Sequence, residues 1–198
     1  MKPFEMDRDY FAQNADAVAI WLLGKELCHR QENGRVVRLK ILETEAYAKE
    51  DGTICYGNEG PKKGNKSEVL FSTGKLCDYC GMLLISCRAA KRPDNVLIRS
   101  GELLDGAGAL LCREDRPTVL RDAFWMGRQP CPADLTKEGS IWLDFSERPV
   151  SSHCSHLRIN VPSEKKWRFC LQEEMPDSGG AAHGEESESS PLIANDKT

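Results

Sequence analysis

The segment Val37-Arg38-Leu39-Lys40-Ile41-Leu42-Glu43-Thr44-Glu45-Ala46-Tyr47 constrains the fold more than any other part of the chain. Strand side chains alternate between faces, so Val37, Leu39, Ile41, Glu43, Glu45 and Tyr47 share one side of a regular strand. The first three are apolar, which makes that side the buried one. Two carboxylates and a phenol then follow where the same face leaves the core. Carboxylates placed beside apolar surface are a common source of acids and bases for chemistry. A strand that frays into a polar loop, with both glutamates solvated, fits the same spacing.

The flanking sequence supplies the rest of an α+β plan. Asp9 suits an N-cap for a helix from Tyr10 to Leu23, with Phe11, Ala15, Val18 and Leu22 on one face and Gly24 at its end. Leu27-Cys28-His29 and Arg35 to Glu45 read as a hairpin turned at Asn33-Gly34. A long polar, Gly- and Lys-rich loop spans Ala48 to Ser67. Further strands are expected at Met82–Ser86, Asn95–Ser100, Ile141–Leu143 and Trp167–Leu171, with a short helix from Pro117 to Met126. Short strands with few helices and no βαβ alternation argue for a single α+β domain over residues 1–171. From Gln172 the composition shifts to Gly, Ser and Glu, so residues 172–198 read as an acidic disordered tail.

Charge and cysteine usage narrow the class of protein. The net charge is −4. Setting aside the seven acids and one base of residues 172–198 leaves 24 acids and 26 bases, a mildly basic folded part. No segment approaches the roughly 20 apolar residues of a membrane span, and no apolar run opens the chain. The nine cysteines are odd in number and irregularly spaced. These features point to an intracellular protein with free thiols, cytoplasmic or nuclear/nucleoid, and away from a membrane.

The order of short motifs is the next clue. The helix ending Leu22-Leu23-Gly24-Lys25 is followed by Glu43-Thr44-Glu45-Ala46-Tyr47, Glu50-Asp51 and Lys66-Ser67-Glu68-Val69-Leu70-Phe71. Gly81-Met82, Val96-Leu97-Ile98-Arg99 and Trp167-Arg168-Phe169 come after them. In this order the chain resembles the alkyladenine (3-methyladenine) DNA glycosylase family, as a divergent member. The resemblance implies one domain with a curved antiparallel sheet, flanking helices and a protruding hairpin. It implies a monomer acting on double-stranded DNA that contains damaged purines, with no metal or organic cofactor. The damaged nucleotide is flipped into a pocket, since chemistry cannot reach a base within the stack. Glu45 would be the general base that activates a water toward C1′ of the deoxyribose. Tyr47 would stack on the flipped base, which often carries positive charge after alkylation. Glu43 would support its neighbour.

Several positions depart from the family pattern. A His that helps position the base becomes Tyr56, preceded by Cys55. The Tyr that inserts into the duplex becomes Cys80, with Tyr79 one residue earlier as a wedge if the register slips. An Asn used to discriminate among bases becomes Cys87. A Gly-rich loop is replaced by Arg116-Pro117-Thr118-Val119. The base-binding set carried over is therefore Tyr47, Tyr56 and Cys87. Lys62, Lys63 and Lys66 are candidates for phosphate contact, and Arg99 for the DNA cleft or for a surface salt bridge.

Cys77-Asp78-Tyr79-Cys80, with Cys87 or with His153, Cys154 and His156, suggests a zinc-stapled interaction domain only weakly, because the second pair lacks zinc spacing. His29 belongs to the hairpin. Retention of Glu45 favours an enzyme. The Tyr56, Cys80 and Cys87 substitutions favour the alternative, a catalytically impaired DNA-binding protein of the same fold.

Overall fold

The computed structural model describes residues 8–48, 73–88, 94–125, 132–144 and 152–172. Tyr56, Lys62, Lys63, Lys66 and the acidic tail beyond residue 172 lie outside them. A 3-10 turn at Arg8–Tyr10 leads to α1 (Ala15–Leu22), then β1 (Glu26–Arg30) and β2 (Val36–Tyr47). β3 (Lys75–Tyr79), β4 (Met82–Cys87), β5 (Asp94–Asp105) and β6 (Leu110–Glu114) follow. After α2 (Pro117–Phe124) come β7 (Ala133–Asp134), β8 (Ile141–Asp144), β9 (His153–His156) and β10 (Arg168–Leu171). No described helix is long and apolar enough to cross a membrane.

The first helix is shorter than its sequence pattern predicts. Asn14, not Asp9, holds the N-cap position, because the carbonyl of Phe11 is taken by the amide of Arg88 at 2.7 Å. That tertiary bond competes with the helical one and the fully buried Phe11 stays outside the helix. The β1–β2 hairpin is as expected. Gly34 sits at φ 82°, its amide donates to Gln31, and Leu27 faces Leu39 across the pair.

Among the described residues ten strands form one antiparallel sheet whose main path is β7-β3-β4-β5-β2-β1-β8. β10 takes the part of the β2 edge that β1 leaves free, pairing Arg168 with Glu45 and Cys170 with Glu43. β6, β7 and β9 were not legible in the sequence, and β5 runs on to Asp105 where a strand ending at Ser100 was expected. One apolar core lies between the sheet and the two helices, with Val18, Leu22, Leu39, Ile41, Ile98, Leu120 and Phe124 among its members. A smaller cluster of Tyr47, Leu84 and Leu97 is separate from it.

The simple alternation along β2 is corrected by a pair of bulges. Ile41 faces Gly101, Glu43 faces Ser100 and Thr44 faces Ile98, so Leu42 is an extra residue on β2 and Arg99 one on β5. A bulge turns every later side chain to the other side. Val37, Leu39 and Ile41 face the helices, but beyond the bulge Thr44 and Ala46 take their place. Thr44 donates its hydroxyl to the Ala19 carbonyl of α1 at 2.9 Å. Glu43, Glu45 and Tyr47 therefore share a face with one another and not with Val37, Leu39 and Ile41.

Two expectations follow. A Cβ on Gly101 would lie 2.5 Å from Leu39 Cδ1 and 2.6 Å from the Lys40 carbonyl oxygen, next to the bulge. Gly101→Ala should lower the unfolding free energy by about 2 kcal/mol, read from the urea midpoint at constant m-value. Asp134, on the edge strand β7, is paired with Lys75 and with the Thr136 hydroxyl and amide. Burial opposes its ionisation, but those donors outweigh burial and hold its pKa at about 2. A depressed carboxylate pKa stabilises the fold above the ordinary value near 4, and the gain is lost as pH falls toward 2. Asp134→Asn should cost about 2 kcal/mol at pH 7 and almost nothing at pH 2, measured by melts across that window.

Candidate functional site

Beyond the bulges, β2, β5 and β10 bring their charged residues to one place. Glu45 has no solvent exposure. Such a carboxylate must exchange its hydration for fixed donors. Tyr47 donates its hydroxyl to Oε2 at 2.6 Å, and Arg99 donates Nη1 to the same oxygen at 3.2 Å. The backbone amide of Ile159 donates to Oε1 at 2.9 Å. Arg99 is the bulged residue of β5, and that extra residue places its guanidinium between both glutamates, 3.7 Å from Glu43 Oε1. Glu43 in turn accepts from Arg168 Nη1 at 2.8 Å. Burial alone would lower the Arg168 pKa, but the bond to Glu43 more than offsets it and the pKa is raised. Burial also pushes the neighbouring Cys170 thiol up, with the Glu43 charge adding to the effect, so that thiol is a poor nucleophile.

A late loop closes over these residues, and sequence reasoning did not find it. Arg158 is buried, and its Nη1 donates to the Ala46 carbonyl at 3.0 Å. Ala46 lies between Glu45 and Tyr47, and its own amide donates to the Trp167 carbonyl at 2.9 Å. In an antiparallel ladder the amide and carbonyl of one residue point to the same neighbour. β10 begins only at Arg168, so Arg158 serves a carbonyl that the ladder has run out of strand to meet. Its guanidinium stands 5.3 Å from the Tyr47 ring centroid and 5.5 Å from that of Trp167. Immediately after Ile159, Asn160 turns the chain at φ 58°, a conformation that Asn tolerates better than most residues. The only sequence trace was a basic residue between Leu157 and Ile159; a backbone amide donor leaves none.

The remaining predicted residues are placed unevenly. Tyr79 closes the β3–β4 hairpin opposite Met82, and both pack against the Tyr47–Leu84–Leu97 cluster. Cys80 is exposed in the two-residue turn at φ 51°, followed by Gly81 at φ 75°. The hairpin end is tied down by the Gly81 amide on Asp78 Oδ1 and by an ion pair from Asp78 to Arg121 of α2. Cys87 is not brought to the site: strand alternation puts it with Leu83 and Ile85 in the helix-facing core, on the opposite side from Leu84. His29 is fully buried with Nδ1 3.1 Å from the Phe124 carbonyl. Among the described residues every cysteine is a free thiol, and no three His, Cys, Asp or Glu side chains stand together as a metal site.

The chemistry open to this arrangement is proton transfer by a carboxylate in a dry, cation-flanked setting. Arg158 is the anchor of the loop that serves it. Arg158→Met should destabilise the protein by about 2 kcal/mol, because the Ala46 carbonyl loses its donor and two rings lose a cation. Arg158→Lys should recover only part, since an ammonium lacks the planar fork. Urea melts of the two variants check both statements.

Comparison with known proteins places the chain among a set of similar sequences. The family described as methylpurine-DNA glycosylase matches residues 9–175. A protein of Natranaerobius thermophilus is 31% identical over 85% of this chain and 96% of its own. One from Methanocella arvoryzae is 34% identical over 83% of this chain and 90% of its own. A third, from Borreliella afzelii, is 32% identical over 84% and 96%. All three carry the provisional name 3-methyladenine DNA glycosylase.

Proposed function

This chain belongs to the methylpurine-DNA glycosylase family, and from that premise we propose that it removes alkylated or deaminated purines from double-stranded DNA by water attack at C1′. Membership makes it a DNA glycosylase, a hydrolase of base excision repair acting on alkylated bases. The observation that carries the finer reading is the fully buried Glu45 with its donors from Tyr47, Arg99 and the Ile159 amide.

In this reading the damaged nucleotide leaves the stack and enters beside Tyr47. Glu45 takes a proton from water as the water oxygen bonds to C1′. The N-glycosidic bond breaks and its electron pair leaves with the purine. Arg99 and the Ile159 amide keep the carboxylate in one orientation, which matters because about 1 Å of misplacement costs about 10²-fold in rate. Tyr47 is only 2% exposed in the free protein, so base entry displaces the half-buried Tyr79, Met82 and Val161 around it. Tyr79 is then a second aromatic wall, and the exposed Cys80 turn is the part of the hairpin that meets the duplex. Lys62, Lys63 and Lys66 contact phosphate. The protein works as a monomer inside the cell, in the cytoplasm or in the nucleus or nucleoid. Lesion binding without cleavage is the second reading, favoured by Cys87 facing away from the site.

The test uses the full chain in excess over duplexes with a single hypoxanthine or ethenoadenine and over alkylated genomic DNA, with alkali to cut abasic sites. Wild type should yield product and Glu45→Gln none. Tight lesion-dependent binding without product would remove catalysis and leave the binding reading. Tyr79→Ala should weaken lesion binding by about tenfold, whereas Cys80→Ala should change it less than about twofold.

A further inference from the structure

One buried polar group on this face has no role so far. Asn95 pairs directly with Tyr47 across β2 and β5 and with Ser86 across β4 and β5. It is 1% exposed. Direct cross-strand partners share a face, with Cβ atoms about 5 Å apart. Leu97, two residues on, shares that face; it pairs with Glu45 and packs with Tyr47. Among the described residues, the Oδ1 of Asn95 meets no hydrogen-bond partner. A buried acceptor left unpaired is costly, and proteins rarely leave one without a use.

We propose that Asn95 is a specificity-determining residue that reads the six-position edge of the flipped base and favours bases that carry a hydrogen there, hypoxanthine among them, over bases that carry none. A carboxamide offers an acceptor and a donor side by side. The lactam edge of hypoxanthine offers the complement, an N1–H donor beside the O6 acceptor. A base stacked on Tyr47 brings that edge to Asn95 Oδ1, which gains the partner it lacks in the free protein. In 1,N6-ethenoadenine both edge nitrogens belong to a fused ring and carry no hydrogen, so Oδ1 stays unpaired. A site built for a hydrogen bond rejects an analogue that lacks it far better than an apolar pocket rejects a change of shape.

The inference rests on the glycosylase reading, and the experiment separates the two. Single-turnover rates are measured with the full chain on duplexes carrying hypoxanthine or 1,N6-ethenoadenine. Wild type should favour hypoxanthine by about tenfold or more. Asn95→Leu, close in shape and without polar atoms, should slow hypoxanthine release by about that factor and change ethenoadenine release less than about threefold. Asn95→Ser should show the same collapse if the leucine variant fails to fold. A wild type that releases both bases with no preference for hypoxanthine, or a ratio unchanged in the variants, overturns the role of Asn95 and leaves the glycosylase standing. A wild type that releases no base from any substrate overturns both.

Discussion

A carboxylate with no solvent exposure in the free protein is tolerated only where donors replace its hydration, and the arrangement around Glu45 follows from that requirement. Its donors come from three separate stretches of chain: Tyr47 on the same strand, Arg99 on the neighbouring one, and the Ile159 amide on a late loop. Tyr47 travels with it on the same strand, but neither Arg99 nor the Ile159 amide would reach it without the paired bulges at Leu42 and Arg99. On a regular β2, Glu45 would point among Leu39, Ile41 and the helices, away from both Arg99 and the late loop. The extra residues turn it to the other face and deliver Arg99 to it in the same step.

The two faces of the sheet thereby divide their work. The helix-facing side carries the large apolar core, and Thr44 and Ala46 keep β2 anchored there beyond the bulge. The opposite side carries Glu43, Glu45, Tyr47, Leu97 and Asn95, with a smaller apolar cluster and several charge-assisted bonds. The larger core thus lies on one side and the charged cluster around Glu45 on the other. Buried ion pairs are weak evidence for stability, but they fix geometry by penalising any arrangement that breaks them. That is what the proposed role of Glu45 as general base needs.

Arg158 shows how the late loop is coupled to the strand. Its guanidinium completes the backbone bonding of Ala46 and lies between the Tyr47 and Trp167 rings, while the next amide holds Glu45. The strand edge, the Tyr47 ring and the Glu45 carboxylate are thus held by two consecutive residues. The position of Trp167 matters for the same reason, since its carbonyl accepts from the Ala46 amide.

Local pattern was enough to place the β1–β2 hairpin, β4, α2 and the last strand within a few residues, because turn chemistry and periodicity act over short distances. It was also enough to single out Glu43, Glu45 and Tyr47 as neighbours on one face, since any strand two residues apart keeps that relation. Helix α1 was read too long because a distant amide, Arg88, decided the fate of the Phe11 carbonyl. Which face the acids look toward was decided by cross-strand register, and a one-residue bulge reverses it without leaving a mark in composition. The donors that serve Glu45 were decided by tertiary structure as well: Arg99 is 54 residues away, and the Ile159 amide is 114 residues away and belongs to a backbone group that every residue but proline possesses. The sequence by itself determined that a carboxylate and a phenol stand together on a strand; only the folded chain decided that they face away from the helices, toward the cations that hold them.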